Sequence, residues 1–318
     1  MRGQVLWGSN SIFYIQAEGC GSGGVIYECR LKGKKLLVSG DEYNPLAPGD
    51  WVDFEPEAVA VQPAPATADT LQVRAYGMIT GRQERQRWLE RWNKKRNAPQ
   101  IIVSNVDLLV IVACVQSPPF RPRFVDRCLV AASARQIPVL IILNKADLGI
   151  DDSDAARILH YQSMGYQVML TSVELGEGLD ILRTRLNGTL SAFVGQSGVG
   201  KSSLLSALDQ SIQARVGYIS SKYNRGTHTT TMAKTYLVDF AKGIIDTPGI
   251  RGLELTDADE RTVAGAFPDF GPFIEACGRY NCVHREEPDC AITQAVAAGK
   301  IPADRYDSYR RIIDDQGD

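Results

Sequence analysis

The chain has no apolar run long enough to cross a bilayer. Its longest, Leu108–Val115 and Val139–Leu143, fall well short of the ~18 residues a membrane helix needs. The opening MRGQVLWGSN carries no apolar h-region, so a cytoplasmic location and no membrane partner are expected. Nor is there an excess of charge of either sign. The 35 Lys and Arg against 37 Asp and Glu leave a formal charge of −2, which excludes a chain that is basic throughout and confines any nucleic-acid contact to local patches. Cysteine is sparse, odd in number and unevenly placed. Of seven, Cys277, Cys282 and Cys290 crowd around His284, while Cys20, Cys29, Cys114 and Cys128 are scattered. That distribution argues against a disulfide framework and for a metal. What remains is an ordinary composition, 44% apolar and 23% charged over 318 residues, long enough for two or three domains each with its own core.

Up to about Gly81 the chain reads as short strands between Gly- and Pro-rich turns: Ser11–Gln16, Gly24–Arg30, Lys35–Ser39, Asp50–Phe54 and Leu71–Thr80, with Pro63–Ala68 as a loop. Five short strands in such a run predict a small closed β-barrel of OB type. Next comes Arg82–Asn97, rich in Lys and Arg, with Trp88 and Trp92 four residues apart. That spacing predicts a linker helix, which either packs its Trp pair on a neighbouring domain or offers cations and rings to RNA; both can hold on different faces. From Ile101 the pattern alternates buried strands with amphipathic helices: strand Leu108–Cys114, helix Arg123–Gln136, strand Val139–Leu143, helix Asp151–Met164, strand Gln167–Leu170, helix Gly178–Leu186, strand Thr189–Val194, helix Ser203–Leu208, then strands Ala233–Phe240 and Gly243–Ile245. This alternation predicts a mostly parallel doubly wound sheet with its chemistry at the strands' C-terminal ends.

Those ends carry motifs. Gly195-Gln196-Ser197-Gly198-Val199-Gly200-Lys201-Ser202, followed by Ser203, fits the phosphate-loop pattern G-x-x-x-x-G-K-[ST] at every fixed position, between a strand and a helix. Its backbone N–H groups suit phosphate oxygens, Lys201 supplies a cation, and the Ser202 hydroxyl is a Mg²⁺ ligand candidate. Asn144-Lys145-Ala146-Asp147 fits N-K-x-D. A carboxylate at Asp147 accepts from the N1–H and exocyclic amine of guanine and is left unpaired by adenine. Thr171-Ser172-Val173 is placed to support guanine O6 through backbone N–H. Asp246-Thr247-Pro248-Gly249 fits the D-x-x-G of a switch, with Asp246 reaching Mg²⁺ through water and the Gly249 N–H free for a γ-phosphate. Together they predict binding of GTP and GDP with Mg²⁺. N-K-A-D normally follows D-x-x-G and here precedes the phosphate loop, as circular permutation would arrange it, since each motif hangs on its own strand end.

Beyond the switch, three thiols and one imidazole, Cys277, Cys282, His284 and Cys290, form a full tetrahedral set with no open position, which predicts one structural Zn²⁺. Helices are expected at Ala291–Ala298 and Pro302–Asp314. With little core of its own this last domain is expected to depend on the metal.

With its barrel, Ser104-Asn105-Val106-Asp107, N-K-A-D, phosphate loop, the T-H-T-T-T run and the Cys/His cluster, nearly the whole chain resembles the circularly permuted bacterial GTPases of small ribosomal subunit assembly, the RsgA or YjeQ family. Val173 departs from the family's usual Ala, and the basic Trp-containing stretch is longer. The resemblance implies GTP hydrolysis stimulated by the small ribosomal subunit in its late maturation, with that subunit and its rRNA as partners; a monomer is expected. Three domains are expected: a barrel with linker at 1–98, a permuted GTPase domain at 99–252 and a zinc-binding helical domain at 253–318. The polar stretch Ser220–Thr231 suits a switch I, with Thr229 chosen, and Thr230 second, as the hydroxyl for Mg²⁺. Ile250 stands where many GTPases carry a water-orienting Gln, and an apolar side chain orients no water. His228 is the nearest candidate, and the resemblance implies that role; a solvated loop residue is its plainer reading. The competing function is a GTP-switched RNA-binding or scaffold protein acting on another RNA or protein. Since Gly249 leads directly into the Cys/His segment, nucleotide state is also expected to set that segment's orientation.

Overall fold

The structure, a computed structural model, describes residues 1–9, 11–21, 24–32, 44–57, 73–93, 97–212, 233–247, 253, 258–285 and 287–314. Five antiparallel or parallel strands close the N-terminal barrel in the order β1-β2-β3-β5-β4: β1 (Arg2–Ser9), β2 (Ile12–Ala17), β3 (Ile26–Leu31), β4 (Trp51–Pro56) and β5 (Val73–Arg82). Alternating Val5, Phe13, Ile15, Cys29, Val52, Phe54 and Ile79 fill it. The expected strand Lys35–Ser39 and the loop Pro63–Ala68 lie outside the described residues. The fifth strand is instead β1, in the stretch first read only for its lack of an h-region; its Val5 and Leu6 are both buried because a bulge between Val5 and Trp7 turns consecutive side chains inward and outward.

The predicted linker helix is not there. Trp88–Asn93 is a strand, β6, paired antiparallel with β7 (Ala98–Ser104). Four-residue spacing puts two side chains on one face of a strand as well as of a helix, so the Trp pair alone could not distinguish them. Trp88 lies under the Arg135 guanidinium, 3.9 Å from the ring centroid, and its Nε1 donates to Glu90 Oε2 at 2.8 Å. For this ring, packing on a neighbour is the observed role.

The central sheet runs β10-β9-β8-β11-β13-β12: β8 (Leu108–Cys114), β9 (Val139–Asn144), β10 (Gln167–Leu170), β11 (Leu190–Gly195), β12 (Lys234–Val238) and β13 (Ala241–Asp246). All neighbours are parallel except β12, which returns antiparallel on β13. Near-continuous apolar strands, buried on both faces, are what a doubly covered parallel sheet requires. Helices α1 (Pro122–Ala134), α2 (Asp152–Ser163), α3 (Leu179–Leu186) and α4 (Lys201–Leu208) complete the alternation. Pro122 at the first turn starts α1, and Asp151 caps α2 by accepting from Asp154 N at 2.8 Å.

Barrel and sheet are fastened together by polar contacts, those of Asp50 buried. Asp50 takes two 2.7 Å bonds from Arg85 and one of 2.7 Å from Ser104 Oγ. Gly49, at φ +92°, passes so close to the Ser104 carbonyl that no Cβ would fit. Asp107 accepts from Leu190 N at 3.0 Å and from Lys242 at 2.9 Å. The Ser104–Asp107 motif is thus a structural joint.

The C-terminal region holds α5 (Glu260–Gly265), α6 (Gly271–Ile274), α7 (Ala291–Ala297) and α8 (Ala303–Asp314). Contrary to expectation it has a core of its own, in which Phe267, Phe270, Ile292, Ile301, Tyr309 and Ile313 pack together with Val130 of α1. Arg305 of α8 is wholly buried there between Asp126 and Asp269. Burial pushes the Asp269 carboxyl up, but hydrogen bonds from His160 and Arg305 and the Arg305 charge outweigh it and hold the group below the usual carboxylate range. A depressed folded value means stability that is present above the unfolded pKa of about 3.9 and is lost as pH falls through the folded value. Thermal unfolding followed from pH 7 to 3 is therefore expected to show a midpoint that drops below about pH 4, with a shallower drop in Asp269→Asn; an unchanged acid limb in that variant would contradict this origin. Among the described residues no helix is long and apolar enough to cross a membrane.

Candidate functional site

The C-terminal ends of β8, β9, β11 and β13 converge, and the predicted motifs meet there. Leaving β11 at Gly195, the chain turns through Gln196–Gly200 into α4, whose first residue is Lys201. Gly198 and Gly200 both have φ +86°, and a Cβ on Gly200 would collide with the Asn144 side-chain amide. That amide donates to Val199 O at 3.0 Å, and its own oxygen accepts from the buried Thr171 Oγ1 at 3.1 Å. Asn144, the last residue of β9, therefore ties the phosphate loop to the turn after β10. Lys145, in the left-handed region at φ 60°, reaches back along the loop and donates to Gly198 O at 2.8 Å and to Ser117 O.

Ala146 and Asp147 form a short 3₁₀ turn, Ala146–Leu148, with Ala146 N donating to Thr171 O at 3.1 Å. Asp147 is exposed, and one carboxylate oxygen accepts from Ser172 Oγ at 2.5 Å. Ser172 is itself held by a two-way backbone bridge with Glu177, at 3.1 and 2.9 Å, and Val173 opens the turn between them, packed partly against the core. At the other end, Lys201 and Asp246, each about 90% buried, form an ion pair. Asp246 ends β13, and Thr247 is anchored by Oγ1 to Phe193 O at 2.5 Å. Ser202 and Ser203 are exposed on α4. The geometry thus offers a glycine-rich turn of backbone at a helix start, a cation and a carboxylate at one end, and an exposed carboxylate at the other. His228, Thr229, Thr230, Gly249 and Ile250 lie outside the described residues.

Two contributors escaped the sequence reading. The Ser117 carbonyl, in the turn after β8, receives Lys145, and Pro118 packs against Gly198. Lys234 of β12 stands opposite Asp246 in register, and burial pushes its ammonium below its usual range against the opposing pull of Asp246. The first has no local signal; the second was visible only as the first charged residue of a strand.

A second cluster lies in the C-terminal region. The ligating atoms of Cys277, Cys282, His284 and Cys290 all fall within 4.8 Å of one another. Cys277 and Cys290 sulfurs are 4.0 Å apart, and His284 Nδ1 is 3.4 and 3.6 Å from them. A tetrahedral ion with Zn–S of about 2.3 Å and Zn–N of about 2.0 Å calls for edges of about 3.5 to 3.8 Å, so the donor set fits such an ion. The knuckle is braced by Glu287, which accepts from Val283 N at 2.6 Å and Arg285 N at 2.8 Å, and by Tyr306 and Tyr309 of α8, whose hydroxyls donate to His284 O at 2.7 Å and Val283 O at 2.6 Å. Three of the scattered thiols lie outside any such cluster and are buried: burial raises Cys29 to about 12 and raises Cys114 and Cys128 as well, as expected of packing residues.

A family model described as RsgA GTPase matches residues 82–256. The small ribosomal subunit biogenesis GTPase RsgA of Flavobacterium johnsoniae is 34% identical over 318 residues, spanning 99% of this chain and 93% of that protein. The chain belongs to the RsgA GTPase family. The protein of the same name from Borrelia recurrentis is 35% identical over 312 residues, with 98% and 93% covered. Among solved structures, that of YjeQ from Thermotoga maritima superposes with a TM-score of 0.69 at 26% identity, covering 99% of this chain and 98% of that one. YloQ, described as a circularly permuted GTPase, gives 0.65 at 26%, with 99% and 94% covered. RsgA family membership accounts for the order of the motifs: N-K-A-D precedes the phosphate loop in sequence, yet β9 and β11 flank β8 in one sheet, so permutation leaves the strand-end arrangement intact.

Proposed function

We propose that the chain hydrolyses GTP to GDP and phosphate, is stimulated by the small ribosomal subunit, and acts as a monomer in that subunit's late maturation. The observation that carries the chemistry is the convergence of Asn144, Lys201 and Asp246 on one phosphate loop at the end of one sheet. The subunit comes from the names of the relatives.

In this reading Gly195–Ser203 cradle the phosphates through backbone N–H groups, and Lys201, released from Asp246 as nucleotide enters, offsets charge on the β- and γ-phosphates. Ser202, Thr229 and Asp246 would hold Mg²⁺, directly or through water, and the ion would supply neutralisation of phosphate charge there. Asp147 reads the guanine edge, Lys145 lies along the loop, and Ala146, Ser172 and Val173 line the base. Gly249 meets the γ-phosphate, and His228 orients the attacking water. Residues 1–98 form the RNA-facing part, 99–252 the GTPase domain and 253–318 the domain built around one structural Zn²⁺ on Cys277, Cys282, His284 and Cys290.

Co-sedimentation with isolated small subunits tests the partner. Binding in a nonhydrolysable GTP analogue, and weaker binding in GDP, is expected; equal recovery with large subunits or with unrelated RNA would favour the scaffold reading. His228→Ala is expected to keep that GTP-dependent binding and to lose most subunit-stimulated turnover, by about 10²-fold for a water-orienting group; stimulation at the wild-type level would move the role to rRNA or a ribosomal protein.

Protein purified without chelator is expected to carry one zinc per chain. Chelation or Cys282→Ser is expected to loosen the knuckle and lower the thermal midpoint of the C-terminal region while GTP binding stays measurable, because every ligand lies beyond the nucleotide site. Metal analysis showing no zinc would remove the assignment.

A further inference from the structure

Arg305 is the largest wholly buried side chain among the described residues, and it belongs to neither the nucleotide site nor the metal cluster. A buried guanidinium is costly unless its donors are met, and here they are met from two sides of a junction. Nε and Nη2 fork onto Asp269, at 3.2 Å each for the shorter contacts, within the C-terminal region. Nη1 crosses to Asp126 Oδ1 on α1 at 2.5 Å, and Nη2 also approaches Met164 Sδ, just after α2, at 3.7 Å. The face of the guanidinium covers the Phe267 ring at 4.2 Å. Tyr161 of α2 donates to the same Asp126 oxygen at 2.7 Å, and His160 pairs with Asp269 at 3.2 Å. Two more pairs flank the centre on α8, Arg123 with Asp307 at 2.5 Å and Arg157 with Asp304. Three cations and three carboxylates thus join α8 to α1 and α2, while Val130 of α1 sits in the C-terminal core.

The two ends of this junction are tied to the two sites. On one side, Tyr306 and Tyr309 of α8 hold the Cys/His knuckle. On the other, α1 begins where the turn after β8 ends, and that turn meets the phosphate loop through Ser117 O with Lys145 and Pro118 with Gly198. We propose that Arg305 is a positioning residue: it holds α1, and with it the 115–118 turn, in register against the phosphate loop, so that load on the Cys/His region reaches the nucleotide site through α1. This deepens the proposed subunit-stimulated hydrolysis and rests on it for the source of the load. The path runs through packed contacts and is separate from the covalent tether beyond Gly249.

The test uses the full chain with its zinc. Arg305→Met keeps the length and apolar stem and removes the fork; Asp126→Asn keeps the shape and the Oδ1 acceptor and removes one charge, its amide nitrogen replacing Oδ2, an atom with no partner among the described residues. In each variant the zinc content, GTP affinity, turnover with and without small subunits, and hydrogen exchange of peptides covering 115–134 are measured. Expected are one zinc, intrinsic turnover within about twofold of wild type, a ratio of stimulated to intrinsic turnover lower by about tenfold, and faster exchange in 115–134. A purely structural role would lower both turnovers together and leave their ratio unchanged, which would overturn the proposal, as would wild-type exchange in 115–134 in both variants. If wild type itself is not stimulated, the functional reading fails on its own, and the exchange comparison still decides whether Arg305 holds α1. Should Arg305→Met fail to fold, Asp126→Asn alone carries the same two comparisons.

Discussion

Lys201→Ala is expected to abolish GTP turnover, by at least about 10²- to 10³-fold, the loss typical when one preorganised partner of a developing charge is removed. The Lys201–Asp246 pair adds a second consequence. Lys201 is paired with Asp246, and both are about 90% buried, so removing the ammonium leaves the carboxylate with only Lys234 opposite it in register and is expected to lower stability by on the order of 3 kcal/mol. The double variant Lys201→Ala/Asp246→Asn removes that charge and should recover much of the stability and none of the turnover. Hydrolysis near the wild-type rate in the single variant would take the phosphate loop out of the account. Recovery of turnover in the double variant would show that misfolding, rather than lost catalysis, explained the single.

Asp147→Asn is expected to exchange nucleotide preference. The carboxylate is exposed for a ligand and is held in place by one 2.5 Å bond from Ser172 Oγ to an oxygen that an amide retains. The turn around it should therefore survive. Guanine presents two donors to a carboxylate, whereas an amide offers one donor and one acceptor, which suits xanthine. The ratio of GTP to xanthosine triphosphate affinity should fall by about 10⁴-fold, the scale on which a site built to hydrogen-bond one ligand rejects the analogue it mismatches. Equal weakening of both nucleotides would indicate damage to the 3₁₀ turn and no base readout at Asp147.

The sequence made legible those features whose signal is local. A phosphate loop needs a strand, a glycine turn and a helix start in immediate succession, and Leu190–Leu208 supplies all three. N-K-A-D and the switch carboxylate each end an apolar strand, so their convergence follows once the sheet is parallel. The Cys/His cluster was readable from spacing because four ligands lie within one short segment. What failed did so for physical reasons. The Trp88 and Trp92 spacing serves a strand as well as a helix, and only pairing with Ala98–Ser104 decides between them. The strand Arg2–Ser9 hides its alternation behind a bulge. Two short helices before the cluster passed unread, although Asp259 capping Thr262 N at 2.8 Å is a local signal that could have marked the first. The buried Arg305 network joins residues from four distant segments, and no window of sequence contains it. The expectation of little core in the C-terminal region failed on the same account, since the cluster there is completed by Val130 of α1.

The permuted order places the Cys/His region after the D-x-x-G segment in sequence, and the structure adds a buried junction from that region to α1. Both routes end at the phosphate loop. This is the arrangement expected if contact made at the C-terminal region governs hydrolysis, and it gives the slow intrinsic turnover expected of a chain with Ile250 in place of a water-orienting Gln a physical means of acceleration.

Steady-state GTP turnover of the zinc-loaded chain, measured alone, with isolated small subunits and with isolated large subunits, tests the central claim most directly. Slow turnover alone, at least about a tenfold rise with small subunits, and no rise with large ones is the expected result. Turnover that is unchanged by small subunits, or raised equally by both, would contradict it.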